Sequence, residues 1–127
     1  MIDKVKNFKQ FVNENINSDK KYYHSTFGRY INNIMKNGLS NEVDSLYPID
    51  SGYVYMTNRI DTAEWFAENY IEQTGDKDDI YVLEISGIDS KLLKKDPFND
   101  YPHIKSYRYP LFIPKENLKI IKHIAIE

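Results

Sequence analysis

YYHSTF, residues 22–27, sets an imidazole beside two hydroxyls, Ser25 and Thr26, with aromatic rings on either side. Short hydroxyls at a strand end can present donors and acceptors to a ligand, and an imidazole adds a group that titrates near neutrality. His24 also fits a strand histidine that bonds its own neighbours. GYVYMT, residues 52–57, spaces Tyr53, Tyr55 and Thr57 at every second position. In an extended segment that spacing turns all three toward one face. A phenol offers a flat apolar ring with a polar tip, which suits a stacking platform for a planar ligand. Trp65, Phe66 and Tyr70 come within one strand-to-helix unit. Phe66 and Tyr70, on the apolar side of that helix, fit a core as well as a platform.

Further chemistries find less support. His24, His103 and His123 are the only histidines, no two stand four residues apart, and HExxH is missing, so no metal is expected. The glycines form neither a phosphate loop nor a dinucleotide fingerprint, and no GxSxG turn offers a serine nucleophile. Carboxylates are plentiful but read as solvated helix faces, with no nominated pair. Lysines 91, 94, 95, 105, 115, 119 and 122, with Arg108, make the C-terminal third basic, while acids dominate residues 61–79. That asymmetry would steer an anionic partner, and it equally fits ordinary solvated surface.

The elements that must position these groups are set by composition and periodicity. A chain of 127 residues with a net charge of −2 predicts one domain, 1–127, that is no generic polyanion binder. The absence of cysteine excludes disulfides and fits a reducing, cytoplasmic setting. No apolar run approaches the ~20 residues that span a bilayer, and the N-terminus has no signal-peptide core, so no membrane partner is expected. Val5, Phe8, Phe11, Val12 and Ile16 form a stripe that predicts a helix within residues 1–17, ahead of a core over 21–126.

Within that core, residues 21–25 predict a strand. Phe27, Tyr30, Ile31, Ile34 and Met35 mark one face of a helix that Gly38 stops. Residues 39–52 predict a loop and 53–57 a strand. Asp61 and Glu64 have the spacing of a helix N-cap with a carboxylate at N3, and Ala63, Phe66, Ala67, Tyr70 and Ile71 fill one face of the helix that begins there. IYVLEIS, residues 80–86, is a β-branched strand. DSKLLKK predicts a helical turn, DPFNDYPHIK a loop, SYRYPLFIP an extended segment limited by Pro110, and NLKIIKHIAI a closing strand. Three helices and about five strands predict an α+β domain with a bent sheet.

In order and spacing these segments resemble the ADP-ribosyltransferase fold, in the branch of the poly(ADP-ribose) polymerases. The resemblance runs from about Tyr22 to Ile124. YYHST is similar to that branch's first motif, a strand ending in His-Gly-Ser or His-Gly-Thr, with Ser25 where the family commonly has glycine. GYVYMTNRIDTAEWFAENY resembles the second, with Tyr55 on the motif tyrosine and Phe66 at a second aromatic position. YVLEISGI resembles the next strand. SYRYPLFIPKENLKII resembles the third-motif strand and the segment after it.

The resemblance implies a bent or split mixed β-sheet with about three helices, and NAD as substrate without a metal. His24 would hold the 2′-hydroxyl of the nicotinamide ribose. Ser25 and Thr26, by hydroxyl or backbone, would hold the carboxamide or adenosine ribose. Tyr55 and Phe66 would sandwich the nicotinamide, with Thr57 on the same strand face. Polymerising members carry a glutamate in the third motif, and here Tyr107-Arg108-Tyr109 stands in its place, which puts Arg108 beside His24 and Tyr55 at the catalytic positions. A guanidinium cannot act as a base at neutral pH.

That departure leaves three outcomes. The protein is an NAD-dependent mono-ADP-ribosyltransferase acting on a macromolecular acceptor, a protein before a nucleic acid, with the acceptor supplying its own base. Or another carboxylate, such as Glu116, reaches in. Or the domain is a non-catalytic interaction or inhibitor protein on the same fold. The fold also hosts RNA 2′-phosphotransferases, and an activity of that kind would draw on Arg29, Arg108 and His103. FKQFVNE resembles the opening of internal head proteins of large tailed phages, which implies a phage-encoded protein acting in host cytoplasm; the stretch equally fits an amphipathic helix capping the domain.

Overall fold

The computed structural model describes residues 20–39, 52–97, 99 and 103–125. The expected N-terminal helix and most of the expected 39–52 loop lie outside them. The described chain runs β1 (Tyr22–Phe27), α1 (Gly28–Asn37), β2 (Val54–Thr57), α2 (Ile60–Thr74), β3 (Ile80–Ile85), β4 (Lys94–Lys95), β5 (Ser106–Tyr109) and β6 (Leu118–Ile124), with single 3-10 turns at Ser90–Leu92 and Lys115–Asn117. The six strands form one sheet in the order β4-β5-β2-β1-β3-β6. The fold class is therefore α+β.

The sheet corrects one expectation. Every described strand pair is antiparallel, so the sheet is not mixed. Helices lie between β1 and β2 and between β2 and β3; β1 and β2 are antiparallel neighbours, whereas β2 and β3 run in the same direction with β1 inserted between them, so no neighbouring pair is parallel. Two α-helices stand where three were expected, the third falling outside the described residues.

Strand alternation and the β1–β3 register sort the side chains. Tyr22, His24 and Thr26 pair with Ile85, Leu83 and Tyr81 and belong to one face; Tyr23, Ser25 and Phe27 pair with Glu84, Val82 and Ile80 and belong to the other. On the first face Ile31 and Ile34 of α1 pack with Tyr22, Val54, Met56, Leu83 and Ile85 into the main core. On the second, Ala67 of α2 packs with Phe27 and Ile80, and Tyr70 tilts against the Phe27 ring at 5.5 Å. Phe27 thus does not open α1. Its backbone is extended (φ −97°, ψ 157°), and it ends β1 facing the other helix. The alanines at 63 and 67 are buried because their short side chains let α2 lie close to the sheet.

Helix ends show how local chemistry yields to tertiary contacts. Asp61 is not the N-cap of α2. Arg59 holds that place without a side-chain cap, and its guanidinium takes the Asp61 carboxylate at 2.9 Å. Gly38 ends α1 as expected, at φ 95°, where a Cβ would stand 2.4 Å from the Phe112 ring and 2.7 Å from the Ile113 carbonyl oxygen. Only glycine fits both the backbone angle and the space. The next residue, Leu39, bridges to Ile113. Among the described residues no helix is long and apolar enough to cross a membrane.

Arg29, at the start of α1, reaches Asp76 at 2.8 Å and Asp78 at 3.4 Å. The hydrogen bond from Arg29, with a second from the Asp78 backbone N–H, holds the Asp76 carboxyl below its ordinary range.

Leu83 is fully buried, and Leu83→Ala should lower unfolding free energy by about 2–5 kcal/mol in a urea titration. Asp76 ionises at lower pH in the folded than in the unfolded chain, so its stabilising effect is complete above about pH 4 and fades as pH falls through the depressed folded value. The stability gap between wild type and Asp76→Asn should be largest near neutrality and close in strong acid.

Candidate functional site

The site begins with an interruption in the sheet. β1 and β2 are central neighbours, yet they share a single register pair, Tyr23↔Thr57. β1 matches β3 over six pairs, and β2 matches β5 over four. Where β1 and β2 part, the His24 side chain spans the gap: its Nδ1 lies 2.6 Å from the Tyr55 carbonyl oxygen. A carbonyl can only accept, so the ring proton sits on Nδ1 and a neutral imidazole carries its lone pair on Nε2. His24 is 4% exposed.

The parting strands, with α2 above them, enclose a small, partly open cleft with a cavity volume of about 40 Å³. From β1 it is lined by Tyr23, His24 and Ser25, from β2 by Tyr55, Met56 and Thr57, and from α2 by Ala63 and Phe66. Asp96 and Ser106 close the far side. The mixture of rings with a few polar groups is that of a small-molecule pocket. An open groove lined by Tyr23, Asn58, Arg59, Ile60, Asp61 and Glu64 adjoins it through Tyr23.

His24, Ser25, Tyr55, Thr57 and Phe66 therefore meet in one place, although the first and last are 42 residues apart in sequence (66 less 24). Their local roles differ. Ser25 donates its hydroxyl to the Ala63 carbonyl, tying the first turn of α2 to β1. That proton serves the fold, so the residue meets the cleft with its backbone and the oxygen lone pairs. Thr57 donates to the Arg59 carbonyl at 2.8 Å and shapes the turn into α2. Phe66 is half-buried, with Trp65 packed edge-on at 5.2 Å.

Two of the expected site residues stand elsewhere. Thr26 is 1% exposed and does not line the cleft. Arg108 is the cross-strand neighbour of Tyr55, but its guanidinium lies over the Tyr53 ring, 4.2 Å from the centroid, and it is not among the lining residues. Glu116, Arg29 and His123 are also apart from the cleft. Glu116 is exposed in the 3-10 turn before β6. Arg29 is held by Asp76 and Asp78. His123 takes Asp79 at 2.8 Å and stacks on Tyr81 at 4.3 Å, on the β3–β6 side of the sheet. No three His, Asp or Glu side chains among the described residues are grouped to hold a metal ion.

Sequence reasoning does not find Asp96 and Ser106. The first lies in a stretch that reads as loop, and the second opens the stretch that resembles the third motif, where no role falls to it. Two signals are nonetheless present. Asp96 precedes Pro97, and a residue before proline is driven to extended backbone, which lets it prolong a strand. Ser106 is two residues before Arg108, so strand alternation puts both on the Tyr55 face.

No family model matches the chain, and no curated protein matches it.

The His24–Tyr55 bond gives a direct prediction. Removing the imidazole leaves a carbonyl without its cross-strand partner, so His24→Ala should lower unfolding free energy by about 1–3 kcal/mol in a denaturant titration. Unchanged stability would mean that the contact does not hold the two strands at their parting.

Proposed function

We propose that the cleft binds NAD and that the protein is a small ADP-ribosyltransferase, attaching single ADP-ribose units to a macromolecular acceptor. One observation carries the reading. The imidazole of His24 and the phenol-bearing residue Tyr55 meet across the split between β1 and β2, and Phe66 lines the same cleft from α2. These are the residues that carry the resemblance to the polymerase branch, and nothing local in the sequence requires them to converge.

In this reading the nicotinamide ring lies between Tyr55 and Phe66, where ring stacking replaces water on both faces. Nε2 of His24 accepts the hydrogen bond of a ribose hydroxyl, because Nδ1 already donates to the Tyr55 carbonyl. The Ser25 backbone and the hydroxyl of Thr57 supply further polar contacts. Loss of nicotinamide leaves a cationic sugar that a nucleophile traps. Fixed geometry and preorganised electrostatics lower that barrier, with no covalent intermediate.

A second reading rests on β5. Ser106, Tyr107, Arg108 and Tyr109 include no carboxylate, and polymerising relatives of the resembled branch need one there. That favours single transfer over chain elongation, and it is also compatible with a binder that does not turn NAD over. An RNA 2′-phosphate reaction has the least support, because Arg29 is engaged with Asp76 and Asp78.

Incubation with labelled NAD and a cell lysate should put label on protein, and NAD should raise the melting temperature. At a hundredfold excess over Kd the stabilisation is about 2.7 kcal/mol. Tyr55→Ala and Phe66→Ala should each weaken NAD by up to about tenfold in a titration. A melting temperature indifferent to NAD, with no label transferred, removes the proposal. A shift without label selects the non-catalytic reading.

A further inference from the structure

The cleft contains a carboxylate that the resemblance did not supply. Asp96 comes directly after β4 and prolongs its ladder. Lys94 and Lys95 pair with Arg108 and Tyr107, and the Asp96 backbone N–H then donates to the Ser106 carbonyl at 3.1 Å. The Ser106 hydroxyl donates to Asp96 Oδ2, also at 3.1 Å. Asp96 is 8% exposed, and it is the one carboxylate among the described residues lining the cleft.

Register carries the same row across two more strands. Ser106 pairs with Thr57, and Thr57 with Tyr23. Asp96, Ser106, Thr57 and Tyr23 thus form a single cross-strand row, on the face that Tyr55 and α2 share. Burying a carboxylate is unfavourable unless hydrogen bonds hold it, and this one accepts the Ser106 hydroxyl in the wall of a pocket while its backbone is tied to the same residue.

We infer that Asp96 is the acid–base carboxylate of this site. The inference rests on reading the cleft as an NAD site. In the transfer, the bond between ribose C1′ and the nicotinamide nitrogen breaks, and its electron pair leaves with nicotinamide, which departs neutral. The positive charge passes to the sugar, where the ionised Asp96 stabilises it. A lone pair of the acceptor's hydroxyl or amine forms the new bond to C1′. The proton that the acceptor releases passes to Asp96 and then to water, and no other reactant is needed. Arg108 cannot take this role. Ser106 acts as a positioning residue that holds Oδ2.

The test compares wild type, Asp96→Asn, Asp96→Glu and Ser106→Ala in two measurements, the NAD-dependent melting shift and transfer of label from NAD to lysate protein. Asp96→Asn should keep the shift and lose transfer by about 10²–10³-fold. Asp96→Glu should restore part of the rate. Ser106→Ala should keep the shift and slow transfer, which provides the reading if Asp96→Asn does not fold.

Transfer by Asp96→Asn within about threefold of wild type overturns the role of Asp96 and leaves the NAD reading standing. Loss of the NAD shift together with transfer in a folded Asp96→Asn makes Asp96 a binding residue and overturns the acid–base role. A wild-type shift without transfer overturns the inference but keeps the site as a binder. Neither shift nor transfer in wild type overturns both.

Discussion

Everything distinctive about this sheet depends on one contact, the imidazole of His24 against the carbonyl of Tyr55. Neighbouring strands in the middle of a sheet normally satisfy each other's backbone groups along their length. β1 and β2 do so at one pair and then separate, which would leave the Tyr55 carbonyl facing a gap. A side chain fills the place of a ladder partner. The substitution leaves a cleft beside it, and it also sets the chemistry of the ring that performs it. Because Nδ1 must donate, the neutral ring has an acceptor on Nε2.

The two faces of the sheet divide stability from access. On the α1 face, isoleucines from the helix interlock with Leu83, Ile85, Val54 and Met56, and the core extends to Leu39, Ile113 and Leu118. On the α2 face the packing is uneven. Near Phe27 and Ile80 the helix is sealed down by Ala67 and Tyr70. Toward its N-terminus the sheet beneath it splits, and Ser25 holds Ala63 at the edge of the opening. One helix is anchored at one end and roofs a cleft at the other. The ion pairs around it, Arg29 with Asp76 and Lys122 with Glu64, involve partly exposed groups, and such pairs are individually weak. Their effect is to hold the helix to its neighbours more than to add stability.

Much of the element pattern was legible in the chain. The short extended run at 21–25, the every-second-residue spacing in GYVYMT and the β-branched IYVLEIS marked β1, β2 and β3, and the three- and four-residue spacing of Ile31 with Ile34, and of Ala63, Phe66, Ala67 and Tyr70, marked both described helices. Local signals failed where a tertiary contact outweighed them. Phe27 fitted the helical stripe but was drawn into β1 by packing against Ala67 and Ile80. Asp61 fitted an N-cap but was taken by Arg59. The expectation of a mixed sheet failed for a related reason. A helix between two strands allows either direction of pairing, and the choice lies in how the helices cover the two faces.

The candidate site divides along the same line. Residue types and short-range spacing by themselves determined that His24, Ser25, Tyr55, Thr57 and Phe66 were available on suitable elements, because side-chain direction along a strand or helix is set by its own repeat. Only the tertiary structure decided that they share a cleft, that Arg108 turns to Tyr53 instead, and that Asp96 joins Ser106, Thr57 and Tyr23 in one row. Cross-strand register is set by long-range packing and pairing, which bring together residues dozens of positions apart, and no local preference in the chain encodes which of them will meet.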